Sequence, residues 1–213
     1  MKWQRNEPLE EELLDTMLER VNAGYVKQSP SITDLIYCLT KTYYDATCRI
    51  PPTRKTKLYF TIGLGLEAAL VKDKSIATTG EHDGIYYHID SMDYDHLLEL
   101  KSTRISSKKQ PNEFSQSWLK QIKGYLKTQN RTRASLAVLH IGSPPEIILW
   151  DLEFEQGEID INWQWLLSRK AVWDQAVLEN EPPESYRYNE DWECRDCVYA
   201  TLCEARKAMH LQR

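Results

Sequence analysis

The run His96-Leu97-Leu98-Glu99-Leu100-Lys101 constrains this chain more than any other. It reads as a buried strand. Side chains alternate along a strand, so Leu98 and Leu100 turn to one face and Glu99 and Lys101 to the other. A carboxylate and an ammonium two residues apart then project side by side. Burying both is costly unless they pair or meet a metal. The plainest account is a solvated ion pair on an edge strand, and the rest of the sequence decides whether it holds.

The chain has 213 residues, enough for one large domain or one domain with an appended subdomain. Hydrophobic residues make up 41%, which supports a real core. No run approaches the apolar length of a membrane span. Met1-Lys2-Trp3-Gln4-Arg5-Asn6-Glu7 carries no apolar signal region, so a cytoplasmic protein with no membrane partner is expected. The net charge of −5 argues against a general nucleic-acid coat. Its distribution says more. Lys101, Arg104, Lys108, Lys109, Lys120, Lys123, Lys127, Arg131 and Arg133 face Glu113 alone over that stretch. A solvated helix face can look like this, and a phosphate-binding surface requires it.

Hydrophobic spacing predicts helices over 7–22, from Ser29-Pro30-Ser31 to about Asp45, over 57–71, 111–128 and 160–179. Strands are expected near 75–79, 84–90, 96–102, 134–141 and 146–154, with Asp90 to Asp95 as the turn before Glu99. This order suggests an α/β chain with a mixed central sheet flanked by helices. It divides into an N-terminal helical region over 1–56, a core over 57–180 and a cysteine-bearing segment over 181–213. Of the five cysteines, Cys194, Cys197 and Cys203 form C-x2-C-x5-C, a spacing that lets three thiolates converge on one metal centre. An odd cysteine count in such a chain disfavours a disulfide framework.

Metal-dependent phosphodiester cleavage needs a second carboxylate near Glu99, with the lysine facing the attacking water or the phosphate. Asp90, Asp93 and Asp95 fall at or beside the expected hairpin tip, on the order of 10–15 Å from mid-ladder. Asp83 starts the second strand in Gly80-Glu81-His82-Asp83, and folding the hairpin back brings that region alongside Glu99 to Lys101. Alternation turns His82 away, so it is left unassigned.

G-x-x-D followed by E-x-K about one hairpin later resembles the PD-(D/E)XK nuclease fold, the restriction-endonuclease-like α/β architecture. Gln121-Ile122-Lys123-Gly124-Tyr125 matches the Q-x-x-x-Y of its RecB-like branch, and i, i+4 spacing puts Gln121 and Tyr125 on one helix face. The cysteines narrow the resemblance. Trp192 to Cys203 looks like the C-terminal half of the iron–sulfur clamp of RecB-like nucleases. Ser31 to Tyr44 is similar to the upstream segment that carries the fourth ligand. The resemblance therefore implies Cys38, Cys194, Cys197 and Cys203 as ligands and leaves Cys48 spare. It favours a [4Fe–4S] cluster joining the N- and C-terminal segments, with zinc as the minority reading. Leu39 departs from the family pattern, which commonly has proline there.

Over roughly residues 29–208 the chain resembles the CRISPR-associated RecB-like exonucleases. That resemblance implies metal-dependent single-strand DNA exonuclease activity, often 5′→3′, and work beside an integrase in spacer acquisition. Asp83, Glu99 and Glu67 would hold Mg²⁺ or Mn²⁺, with the Leu100 carbonyl adding a ligand. Lys101 would orient the nucleophile. Gln121 and Tyr125 would position the DNA strand, and Lys120, Lys123 and Lys127 would steer its backbone. Glu67 stands where the family has histidine. As a hard oxygen donor it suits Mg²⁺ or Mn²⁺, whereas as a surface residue it would leave the site weakened. Three other readings stand beside this one: a DNA-end-binding adaptor of the integrase with vestigial cleavage, a viral or mobile-element recombination nuclease, and a zinc-stabilised interaction module.

Overall fold

A computed structural model describes residues 7–22, 29–70, 78–93, 96–142, 144–183 and 191–210. Four helices open the chain: α1 (Glu7–Asn22), α2 (Ile32–Ile36), α3 (Leu39–Thr47) and α4 (Arg54–Leu70). A two-stranded antiparallel ribbon follows, β1 (Thr78–His82) with β2 (Ile85–Ile89). The main sheet has the order β3-β4-β5-β6, with β3 at Ser91–Asp93, β4 at His96–Thr103, β5 at Arg133–His140 and β6 at Glu146–Glu153. β4 and β5 run parallel, and the other neighbours run antiparallel. A parallel pair needs a crossover. A 3-10 turn at Pro111–Glu113 and α5 (Gln116–Gln129) supply it. α6 (Gln156–Glu179), α7 (Asp191–Arg195) and α8 (Ala200–His210) complete the chain. The fold is mixed α/β, with a mixed sheet flanked by helices.

Local chemistry accounts for most boundaries. Ser31 caps α2: its Oγ accepts from the Asp34 amide at 3.2 Å, while its own amide donates to Asp34 Oδ2 at 2.9 Å. Asn130 and Asn180 end α5 and α6 in the left-handed region, each at φ 52°. Pro182-Pro183 then prevents α6 from continuing.

Two expectations are corrected. The helix expected from about residue 31 to Asp45 breaks at Tyr37-Cys38, where the backbone is extended. The buried guanidinium of Arg169, on α6, donates to the carbonyls of Leu35 and Tyr37. It supplies the acceptors at the end of α2 with the partners that a continuing helix would have given. The stretch from 191 onward, read only as a cysteine segment, carries α7 and α8.

The core gathers Ile32, Leu35, Ile36, Ile122, Leu126, Leu136, Val138, Ile159, Trp163 and Leu166, all essentially without solvent contact. It therefore lies between the sheet and α2, α5 and α6. α4 packs along β4, and α1 packs on α4. Within this core Gly124 allows a close approach of α5 to α2 and α6: a Cβ there would lie 3.0 Å from Ile32 Cγ2 and 3.3 Å from Leu166 Cδ1. No helix among the described residues is long and apolar enough to cross a membrane.

Candidate active site

Glu99 sits mid-strand on β4, beside Leu136 of the central strand β5. Leu97 and Leu136 lie in the core, and alternation turns Glu99 into it as well, so the carboxylate is 1% exposed. Lys101, two residues on, shares that face and keeps about a fifth of its side chain in contact with solvent. Its Nζ donates to Glu99 Oε1 and, at 2.9 Å, to Gln121 Oε1. Gln121 Nε2 in turn donates to the Tyr125 hydroxyl at 2.8 Å. Gln121 and Tyr125 project from one face of α5, as their spacing predicts, and both are buried.

The other Glu99 oxygen, Oε2, is buried and has no hydrogen-bond partner among the described residues. Burial raises the Glu99 pKa to about 7; Lys101 works against that rise, and the Asp90 carboxylate adds to it. For Lys101, desolvation acts downward, but the Glu99 charge and hydrogen bond outweigh it and the net shift is upward.

Asp90, not Asp83, is the second carboxylate of this centre. β3 is short and pairs Ser91 with Leu98 and Asp93 with His96. That register brings residue 90 opposite residue 99. Asp90 Oδ2 accepts from the Leu100 amide at 2.9 Å. Asp83 instead forms the β1–β2 turn with φ 49°, its side chain half exposed. It accepts from Trp163 Nε1 at 2.9 Å. Seven residues of largely extended chain put it on the order of 20 Å from Asp90. Sequence reasoning dismissed Asp90 as a hairpin-tip residue. The missed signal was an acid directly after the apolar strand Ile85–Ile89 and nine positions before Glu99. His88, two residues before Asp90 on the ribbon, was also passed over, and its charge favours the ionised form of Glu99.

The three lysines expected to steer a DNA backbone lie elsewhere on α5. Lys120 Nζ lies 3.8 Å from the Trp165 ring centroid and Lys123 Nζ lies 5.6 Å from that of Phe154. Lys127 pairs with Asp160 at 2.7 Å. Burial lowers the Lys120 pKa, with help from Lys123 and Arg169. Positions 120, 123 and 127 form one helical face, turned to the α6 flank, and 121 and 125 form another. Glu67 belongs to α4 by its backbone, and its side chain lies outside the described residues, as does Asp95.

A second constellation joins the two ends of the chain. Cys38 stands at the α2–α3 break, and Cys194, Cys197 and Cys203 lie on and between α7 and α8. The Cys197 thiol is raised chiefly by burial and also by Cys38 and Cys194. That of Cys203 is raised by burial and then by Cys38, Cys197 and Cys194. The Tyr199 backbone amide donates to the Cys197 sulfur, a bond that favours the thiolate. Cys48 is exposed, and its charge bears on Tyr44 and Tyr199. Among the described residues, no three His, Cys, Asp or Glu side chains are gathered tightly enough to hold a metal ion. By chemistry, both donor sets fit one: a buried carboxylate oxygen with no partner among the described residues beside a second carboxylate, and four cysteines whose thiolates would repel one another unless a cation lay among them.

No family model matches the chain, and no curated protein matches it. The solved structure of SSO0001 does, at 20% identity and a TM-score of 0.55, over 92% of this chain and 96% of that one. The likeness is one of fold.

Proposed function

We propose that this chain is a metal-dependent deoxyribonuclease of the PD-(D/E)XK class, acting as an exonuclease on single-stranded DNA ends, akin to the CRISPR-associated RecB-like enzymes. One observation carries the reading: the unpartnered, buried Oε2 of Glu99, next to Asp90 and to a lysine held at two points. A carboxylate is kept in that state at a cost unless a cation meets it. Asp90 and Glu99, with the Leu100 carbonyl, would hold Mg²⁺ or Mn²⁺, which supplies Lewis-acid polarisation of the phosphate and lowers the pKa of a bound water.

The protein's own groups do the rest. Lys101 presents a fixed positive charge where the attacking oxygen and the pentavalent phosphate develop negative charge. Gln121 holds that ammonium at a second point beside Glu99, so its direction is set before substrate arrives. Cys38, Cys194, Cys197 and Cys203 would hold a [4Fe–4S] cluster or zinc in a structural role. An integrase partner in spacer acquisition belongs to the same reading. One sequence feature favours a rival, the DNA-end-binding adaptor: Glu67 in place of the family histidine.

The test is cleavage of end-labelled single-stranded DNA in Mn²⁺. Asp90→Ala, Glu99→Ala and Lys101→Ala are each expected to lose at least about a hundredfold in kcat. Asp83→Asn, which keeps an acceptor for Trp163 and tolerates the turn, retains activity. Full cleavage by Glu99→Ala or Lys101→Ala would sink the nuclease reading. Loss in Asp83→Asn with full activity in Asp90→Ala would return the metal to Asp83.

A further inference from the structure

Sheet edges in natural proteins are blunted by a short strand, a lysine, a proline, a bulge or a cover. β3, at one edge of the main sheet, is only three residues long. β6, at the other, runs for eight, Glu146-Ile147-Ile148-Leu149-Trp150-Asp151-Leu152-Glu153. It has no lysine and no proline, and its register against β5 is unbroken. Among the described residues, no strand pairs with its outer side.

The ladder fixes what that side presents. The Phe154 amide donates to the Thr132 carbonyl at 3.0 Å, so residues 154 and 132 form a hydrogen-bonded pair. Such pairs alternate along an antiparallel ladder. The backbone groups of Ile148, Trp150 and Leu152 therefore turn inward to β5, and those of Ile147, Leu149, Asp151 and Glu153 turn outward. Side chains alternate as well. Trp150 and Leu152 pack against the core, whereas Ile147 and Leu149 stand on the opposite face, 53% and 60% exposed. Charge then selects the partner. Glu146, Asp151 and Glu153 are exposed, and β6 has no cation of its own. Arg133 on β5 offsets Glu153, while Asp151 accepts from the neutral Ser135 hydroxyl. A second copy would bring the same acids against themselves, and like charges across a strand pair repel. A nucleic acid meets the same repulsion.

We propose that the β6 edge takes an extended basic and apolar peptide of a partner protein as an added antiparallel strand. Aliphatic side chains of the peptide lie beside Ile147 and Leu149, and Lys or Arg beside Glu146, Asp151 and Glu153. In strand addition the main-chain bonds give affinity and the alternate side chains give specificity. β5 separates this edge from Glu99 and Lys101 on β4, so strand addition needs nothing of the nuclease reading.

The test is fluorescence anisotropy of the full chain with a labelled octapeptide, Lys-Thr-Arg-Thr-Val-Thr-Val-Lys, whose first valine stands opposite Leu149. Saturable binding in the micromolar range is expected. Methylating the nitrogen of that valine removes its bond to the Leu149 carbonyl and weakens binding about tenfold. Leu149→Pro removes one outward amide and leaves the bonds to β5 in place; it also weakens binding about tenfold, and Leu149→Thr, which keeps the amide, does not. Glu146→Gln combined with Asp151→Asn weakens it about fivefold. Binding untouched by N-methylation overturns the proposal, because charge alone then holds the peptide. Absence of binding overturns it too. So does a dimer of the chain that Leu149→Pro abolishes, which gives the edge to a second copy. Where Leu149→Pro does not fold, the methylated peptide decides, since it leaves the protein unaltered.

Discussion

Glu99 is the residue on which the chain spends stability. Its pKa moves from 4.5 to about 7, chiefly through burial, a difference worth about 3 kcal/mol at a pH above both values. The folded value is raised. Its contribution to stability is therefore whole below pH 4.5, declines as the pH rises, and is gone above about 7. Lys101, raised from 10.5, stays charged throughout that window. Denaturation followed from pH 4.5 to 8 is expected to show this loss in the wild-type chain and not in Glu99→Gln. A divalent cation that binds the ionised carboxylate reverses it, so Mn²⁺ is expected to raise the Tm more at pH 8 than at pH 5. Equal shifts at both pH values, by scanning calorimetry, would exclude Glu99 as the ligand. At this scale Glu99, Lys101, Gln121 and Tyr125 were legible, because their spacing is set by strand and helix periods that the sequence displays. Asp90 was not. Its place depends on which residues of β3 and β4 pair, and a short ladder can be registered only in three dimensions.

Among the elements, the five-residue α2 has the largest share of consequence for its length. It packs Ile32 onto Gly124, brings Tyr37 at its C-terminal end to Ser117 of α5, and ends where Arg169 takes its carbonyls. Arg169→Met strands two carbonyl groups at the edge of the core and is expected to cost about 2–3 kcal/mol in urea denaturation. Gly124→Val adds two methyls beyond a Cβ already 3.0 Å from Ile32 and 3.3 Å from Leu166. It is expected to cost about 2 kcal/mol and to lower activity as well, because it pushes α2 away from α5, the helix that carries Gln121 and Tyr125. A variant as active as wild type would show that α2 does not bear on the centre. The helical spacing over 29–45 was legible in sequence, since Leu35, Ile36, Leu39 and Tyr43 keep one period. The break at Tyr37-Cys38 was not, because its cause is a side chain more than 130 positions away.

For the whole molecule, the notable feature is how the two ends meet. Tyr199, fully buried, stacks on Tyr44 with centroids 5.2 Å apart. Its hydroxyl donates to Asp45 at 2.8 Å and accepts from the Ile50 amide at 3.1 Å. The Tyr43 hydroxyl donates to Asn180 Oδ1 at 3.2 Å and Thr40 to the Pro183 carbonyl at 2.9 Å. Protein contacts thus already join α3 to the C-terminal segment, and Cys38 lies within electrostatic reach of Cys197 and Cys203. Cys38→Ser or Cys203→Ser is expected to lose bound metal in anaerobic analysis and to melt several degrees lower. Cys48→Ser is expected to change neither. Metal retained by Cys38→Ser would remove that residue from the ligand set. The C-x2-C-x5-C spacing was plain in the sequence, whereas the tyrosine stack beneath it was invisible, because aromatic residues carry no periodic mark of their partner.

The separations along the chain have a consequence for assembly. Asp90 and Glu99 are nine residues apart, and Lys101 meets Gln121 over twenty. The four cysteines span residues 38 to 203, more than three quarters of the chain. Short loops close first and at least entropic cost. As the chain emerges during synthesis, the carboxylate hairpin is complete while the last three cysteines are still unmade. In the proposed reading the growing polypeptide can therefore take up a hard oxygen-seeking cation before it can hold a thiolate-seeking one.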